Sequence, residues 1–526
     1  VLRNWLTPAA WVGAVVAALL LLFPLGFPNY DTIYSLLWGR ELAEGLSPDR
    51  GAALPPTPHP LAELFGLVAS PLGESAIDLT MVVAYLSLGL VGYLVYRLGS
   101  LWFDRPIGAV AALLVLTRAP FLSNGLRAYI DLPYIVLILA ALLIETKRPK
   151  AGWPVLLLLA AAGLLRPEAW LFSLAYLAYL LFDFGQSNDA ERREEEGVSL
   201  EPTDTQKRGL IRPRFVGARD TPSSLTLLVS ITLAAPILWA IFDWITSGSP
   251  TYSFTGTRET VDTLARDTGP VDLVLYGPRR LGEVLQWPGM VGAAGGVGAA
   301  VAILFSRRRL QLFPHYEGGK IAIGLAAVVL ALGAFAVLAC AGLAIIPRYT
   351  MLAAAILAVF AGFGLLGWRL LEPGHRWLRP WQAFAAVVAL MFVVWAPNQY
   401  DLLHRVDVDL TNQSEIESDL GDLAESSAFE PLCLPVSVPN HRAVPRLAFD
   451  LDVRPSAIVS FSEQRQPRRG YFLDPASLFV VQNFILDPND PARLATPVPP
   501  GFRPVARNES WALYRRCQAA ERLTPE

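Results

Sequence analysis

What most constrains this chain is a series of long apolar runs separated by short charged or proline-bearing turns, at 11–27, 79–96, 107–122, 129–144, 151–165, 169–182, 225–245, 287–305, 321–346, 351–368 and 382–396. Inside a bilayer the backbone must satisfy its own hydrogen bonds, so runs of this kind are read as membrane helices. A perpendicular helix needs about 20 apolar residues. Several runs between 107 and 182 are shorter and come in adjacent pairs, so some are expected to be broken or partly immersed; a re-entrant pair leaves the sidedness of every other loop unchanged. Composition agrees: 53% of the 526 residues are hydrophobic and 17% charged, against about 25% charged in ordinary soluble domains. The expected fold class is an α-helical polytopic membrane protein of about eleven transmembrane helices. A net charge of -3 with no basic patch gives no surface for nucleic acid, and three cysteines imply neither a disulfide-rich scaffold nor a zinc module.

Arg3 precedes the first run, which ends in Pro24, Gly26 and Pro28 without a small-x-small cleavage pattern, so it reads as an uncleaved anchor. Placing the amino terminus in the cytoplasm puts Arg97 and Arg105, Lys147, Arg148 and Lys150, Arg307, Arg308 and Arg309, and Arg369, Arg376 and Arg379 all inside. The loop 29–78, the turns at Arg127 and Arg166, the loop 246–286, the turn 347–349 and everything after Ala396 then lie outside. The expectation is a multi-pass plasma-membrane protein with a cytoplasmic amino terminus and an extracytoplasmic carboxy-terminal domain. Residues 1–397 form the membrane domain, within which 185–224, polar, charged and poor in aromatics, is read as a disordered cytoplasmic loop. Residues 398–526 are read as a small α/β domain: "CLPVSVP", "SAIVSF", "SLFVVQNF" and "SWALYRRC" are strand-like runs between turn residues, and "HRAVPRLAFDLD" supplies a helix.

Charged residues gather at one level. Asp31 opens "YDTIYSLLWGRELAEG", whose Tyr30, Ile33, Tyr34, Leu37 and Trp38 recur at helical spacing and predict a helix lying along the membrane interface with its acid at the water boundary. Asp131 in "RAYIDLPY", Glu168 in "LLRPEAW" and Arg348 in "IIPRYT" come from distant parts of the chain, yet the topology brings them to the same boundary. Ionisable residues at span ends tend to line cavities or pair with one another. Carboxylates beside arginines suit transfer of a group from a lipid phosphate to a hydroxyl: an acid acts as general base and arginines hold the phosphate. Each residue also has a plainer role. Asp31 sits in a first helical turn capped by Asn29, Arg127 and Asp131 stand four apart as a helical ion pair, and Glu168 follows Pro167 at a helix start. Arg348 and Tyr349 suit interfacial anchoring, and His59 lies between prolines in a rigid loop.

The order of "YDTIYSLLWGRELAEG", "PPTPHPLAELFGL", "RAYIDLPY", "LLRPEAW", "TSGSPTYSF" and "PRYT" resembles the GT-C superfamily of integral-membrane glycosyltransferases. The resemblance implies a GT-C-like fold, a polyprenyl-phosphate sugar as lipid-linked donor, membrane lipids as surroundings, and transfer with inversion to a glycan, glycolipid or protein. It puts the catalytic base at Asp31 and the phosphate-binding arginine at Arg348. Asp131, Glu168, Arg348, Tyr349, Arg127 and His59 are the candidate substrate-binding residues, His59 standing in "TPHPL" where some relatives carry a lysine-proline-proline segment. A divalent cation is left open as a cofactor, although the first loop has no acid-x-acid motif to hold one, so no metal ligands are assigned.

A secondary transporter or lipid flippase with an outer domain is the rival class. It predicts internal repeats and polar groups near the bilayer midplane, whereas here the polar residues concentrate at one surface. The glycine-rich stretch 289–300 lies inside a run and reads as close helix packing. In the outer domain Cys433 and Cys517 flank the strand-like runs, where oxidising conditions permit a disulfide, while Cys340 falls in a run and is expected to be buried.

Overall fold

The computed structural model describes residues 2–23, 25–52, 54–195, 222–305, 318–430, 432–460, 468–484 and 498–517. In chain order its helices are α1 (Leu2–Leu22), α2 (Tyr30–Ala43), α3 (Pro60–Ala69), α4 (Ser75–Trp102), α5 (Arg105–Leu116), α6 (Ala119–Leu126), α7 (Asp131–Lys147) and α8 (Trp153–Leu165). Then come α9 (Glu168–Glu195), α10 (Pro222–Ser247), α11 (Tyr252–Thr263), α12 (Gly269–Phe305), α13 (Gly318–Cys340), α14 (Met351–Leu366) and α15 (Leu378–Glu425). Each of the eleven apolar runs falls wholly or largely on a helix. Among the described residues six helices are long and apolar enough to cross a membrane, the bent pair α5–α6 makes a seventh, and four shorter apolar helices accompany them. The expected loop 185–224 lies outside the described residues from 196 to 221, and α9 runs into its first part; Arg307, Arg308 and Arg309 also lie outside them.

The break in the 107–122 run has a local cause. Pro120, in the first turn of α6, cannot continue the hydrogen-bond ladder of α5, and the two helices meet at a bend of 62°. Close packing accounts for the glycine-rich stretch on α12. A Cβ on Gly296 would stand 1.8 Å from the Phe360 carbonyl oxygen of α14, so only glycine lets the two backbones meet there.

Helix α15 runs unbroken for 48 residues, from the bundle through Pro397 into the carboxy-terminal domain. That domain contains β1 (Val436–Val438), α16 (Val444–Asp450), β2 (Ile458–Ser460), β3 (Gly470–Pro475), α17 (Leu478–Phe484), β4 (Arg503–Arg507) and β5 (Trp511–Arg516). The sheet order is β2-β1-β3-β5-β4, parallel across β2-β1-β3 and antiparallel across β3-β5-β4. The run "SLFVVQNF", expected as a strand, is helical. Short apolar runs do not distinguish the two states, and here Val480 and Phe484, four apart, point into the core while Asn483 hydrogen-bonds Asn412 of α15 at 2.9 Å. Cys433 and Cys517 are joined by a disulfide with Cα atoms 6.2 Å apart. Cys340, expected to be buried, ends α13 and is exposed.

Helix α2 departs from its expected setting. Every residue from Thr32 to Gly39 is buried, not one face alone. One side packs on α3, where a Cβ on Gly39 would come 2.3 Å from the Gly66 carbonyl carbon. The other shares a core with the carboxy-terminal domain, Ile33, Tyr34, Leu37 and Trp38 clustering with Leu447, Tyr471 and Trp511. The domain therefore clamps α2 onto the bundle, which fixes Asp31 in space.

Candidate functional site

The two acids expected to converge do so through the backbone. Asn29 caps α2, its Oδ1 accepting from the N–H of Asp31 at 2.8 Å and of Thr32 at 3.3 Å. The Asn29 side-chain amide donates to the Arg127 carbonyl at 2.9 Å, and the Thr32 hydroxyl donates to the Ala128 carbonyl at 2.8 Å. The start of α2 is thus bonded to the turn that leads into Asp131.

Arg348 stands on a short 3-10 turn, Pro347–Thr350, closed by the Thr350 hydroxyl donating to the Pro347 carbonyl at 2.8 Å. Its Nη1 meets Asp31 Oδ2 at 3.1 Å, with the side chains 27% and 23% exposed. A second cluster lies beside this pair. Arg166, between α8 and α9, bonds Asp131 through Nη1 and Glu168 Oε1 through Nε and Nη2, and all three side chains are buried. Asp131 Oδ2 and Glu168 Oε2 have no hydrogen-bond partner among the described residues. The Tyr349 ring lies against both cations, with the Arg166 guanidinium 4.4 Å and that of Arg348 5.4 Å from its centroid.

These groups line one cavity of about 370 Å³. Asp31, His59, Asp131, Glu168, Arg348 and Tyr349 all border it, together with Arg166. His59, partly buried with its ring edge-on to Trp239 at 5.8 Å, has its imidazole pushed down to about 3 by desolvation and by the Arg166 cation, so it is neutral near pH 7. Arg127, expected at the substrate, is not among the lining residues. Its Nε donates to Gln413 of α15 at 3.0 Å and its Nη1 to Ser123, so it braces α6 against α15. The expected helical pair with Asp131 does not form, because Asp131 bonds Arg166 instead.

Three contributors lie beyond the candidates read from the sequence. Arg166 reads in "LLRPEAW" as a turn residue; its signal is a cation closing an apolar run just before an acid. His441 and Arg442 reach the cavity from the carboxy-terminal domain, His441 edge-on to Tyr30 at 5.3 Å, and no local pattern announces them. The residues do not fit a divalent cation. No group of three His, Cys, Asp or Glu able to hold one occurs among the described residues, and the place between Asp131 and Glu168 is taken by the Arg166 guanidinium.

No family model matches the chain, and no curated protein does. Solved structures do. ArnT from Cupriavidus metallidurans bound to undecaprenyl phosphate is similar over 98% of this chain and 98% of its own, with a TM-score of 0.51 and 14% identity. The same protein in the apo state gives 0.48 over 96% and 98%, at 14% identity. The oligosaccharyltransferase AglB from Archaeoglobus fulgidus, in complex with an inhibitory peptide and a dolichol-phosphate, gives 0.41 over 87% of this chain and 64% of that one, at 12% identity. The first likeness shows the fold: over nearly its whole length this chain shares the architecture of that ArnT structure.

Proposed function

We propose that this protein is a membrane glycosyltransferase that moves a sugar from a polyprenyl phosphate to an acceptor hydroxyl, with inversion and with Asp31 as general base. The observation that carries the reading is the single cavity in which the Asp31–Arg348 pair stands beside Asp131, Arg166 and Glu168. Undecaprenyl phosphate bound to ArnT, which has the same fold, supports a polyprenyl phosphate as the carrier.

In the reaction the acceptor oxygen bonds to the anomeric carbon as the bond to the phosphate oxygen breaks. The bonding pair leaves with the phosphate, and Asp31 takes the hydroxyl proton. Arg166 is already engaged by two carboxylates, whereas Arg348 has one acidic partner, Asp31. A phosphate that engages Arg348 competes with Asp31 and frees that oxygen to act as base, while the guanidinium meets charge growing on the leaving group. The unpartnered oxygens of Asp131 and Glu168 are acceptors suited to sugar hydroxyls. The lysine and arginine bias of the loops supports placing this end of the bundle at the outer face.

Purified protein in vesicles, supplied with a panel of polyprenyl-phosphate mannose, arabinose, glucose and galactose together with oligosaccharide, glycolipid and peptide acceptors, should release polyprenyl phosphate from at least one donor. Release from none of them, with the protein folded, would end the proposal.

A further inference from the structure

A second cavity, of about 460 Å³, opens beside the first and is within the size range of small-molecule sites, about 300–1,000 Å³. One wall is the proline-rich segment 54–58 and the other is α11. The walls are joined by a hydrogen bond between Thr57 and Thr257, and Leu54, Pro56, Thr57, Thr257 and Thr260 border both cavities. The Leu54 carbonyl also accepts from the hydroxyl of Tyr30, the residue next to Asp31, at 3.1 Å. The cleft therefore adjoins the cavity that holds Asp31.

The cleft-facing side of α11 carries Tyr252, Thr255, Gly256, Glu259, Thr260 and Thr263, a three-four spacing that packs apolar residues in most helices and here bears mainly hydroxyls. The helix is firmly placed: Ser253 donates to Asp243 through its N–H at 2.9 Å and its hydroxyl at 2.7 Å. Among the lining residues the one cation is Arg50. Its Nη2 is committed to Glu63 at 3.3 Å and Thr246 at 3.1 Å, and its guanidinium stacks 4.5 Å from the Trp38 ring. Its Nε and Nη1 are buried without a partner, two donors at the cleft wall. Arg50 shares the cleft with one carboxylate, that of Glu259 on α11. The lining offers hydroxyls, an aromatic ring and rigid proline faces, in contrast to the arginines of the neighbouring cavity.

We infer that this cleft is the acceptor subsite and that it takes an uncharged saccharide chain, an inference that rests on the glycosyl-transfer reading. The hydroxyls of α11 and of Thr57 satisfy a polyol, the Tyr252 ring and prolines cover sugar C–H faces, and the Glu259 carboxylate beside the one arginine disfavours a phosphate.

Gly256 supplies the test. A Cβ at that position meets only the Tyr252 ring, at 4.0 Å, so Gly256→Trp fills the cleft without crowding the helix, and replacing a helical glycine does not weaken it. Wild type and variant, in nanodiscs, are applied to arrays of neutral and of phosphorylated oligosaccharides. The expected result is retention of neutral chains by wild type, weakened by about tenfold or more in Gly256→Trp, with undecaprenyl phosphate binding unchanged. Retention of no neutral chain, preference for phosphorylated ones, or equal binding by the two proteins overturns the inference. Because binding is read directly, the array decides the cleft even if no donor is consumed, an outcome that sinks the transfer reading instead.

Discussion

Two ionic clusters face the same cavity and differ in how deeply they are held. Asp31 and Arg348 form a one-to-one pair whose side chains are about a quarter exposed; Arg166 sits between Asp131 and Glu168 with side-chain exposures of 8%, 3% and 8%. A single, partly exposed pair costs less to open than a buried triad, so the first can part for a substrate more readily. Removing one member of a buried cluster strands charge and costs about 3–5 kcal/mol, so the second is a brace that ties the starts of α7 and α9 to the end of α8. On the proposed reading, similar chemistry serves turnover in one place and architecture in the other.

The largest expected effect tests the brace. Arg166→Met leaves two carboxylates facing each other without a cation and should destabilise the protein by about 3–5 kcal/mol, seen as a lowered thermal transition in detergent. A wild-type transition would mean that the buried cluster is no more structural than the exposed pair. Next comes Asp31→Asn, which keeps the shape and the Asn29 cap but cannot take a proton. Turnover should fall about 10²–10⁴-fold while stability changes by about 1 kcal/mol or less. Equal losses of fold and activity would erase the contrast.

The sequence carried more of the site than of its surroundings. Asp31, Asp131, Glu168 and Arg348 were legible because span ends restrict ionisable residues to few places and the lysine and arginine bias orders those ends. Arg166 lay in plain view but was unread, since its importance comes from acids 35 residues before it and 2 after it, which only the folded chain joins. The burial of α2 was not legible at all. Its local pattern shows one apolar face, and its other neighbours are strands and helices some 400 residues later. The strand Gly470–Pro475 and the helix Leu478–Phe484 were missed for the opposite reason, because short segments carry too little periodicity to separate the two states.

A smaller effect sharpens the role of the exposed pair. Arg348→Lys retains the charge but loses the planar fork that suits phosphate. The KM for the polyprenyl-phosphate donor should rise about tenfold, the value of one charge-assisted hydrogen bond, while the acceptor KM holds. If both constants move together, Arg348 acts through the shape of the cavity and not through the donor phosphate.

The last test is pH dependence, and it separates the buried Glu63 from the partly buried His59 of the cavity. Glu63, packed on Arg50 with its side chain fully buried, has its carboxyl pushed up by burial from 4.5 to about 7, against the pull of that arginine. With the folded value above the unfolded one, its contribution to stability is complete below pH 4.5. It is lost as pH rises through about 7, because the unfolded chain ionises first. His59 runs the other way. Its imidazole falls from 6.5 to about 3, so its contribution is intact above pH 6.5 and is lost as pH drops toward 3, because the unfolded chain takes the proton first. Thermal transitions measured from pH 4 to pH 8 should therefore lose part of their alkaline decline in Glu63→Gln and part of their acid decline in His59→Asn. Matching profiles in wild type and both variants would mean that neither group changes its protonation on unfolding, and the neutral His59 assigned to the cavity would have to be given up.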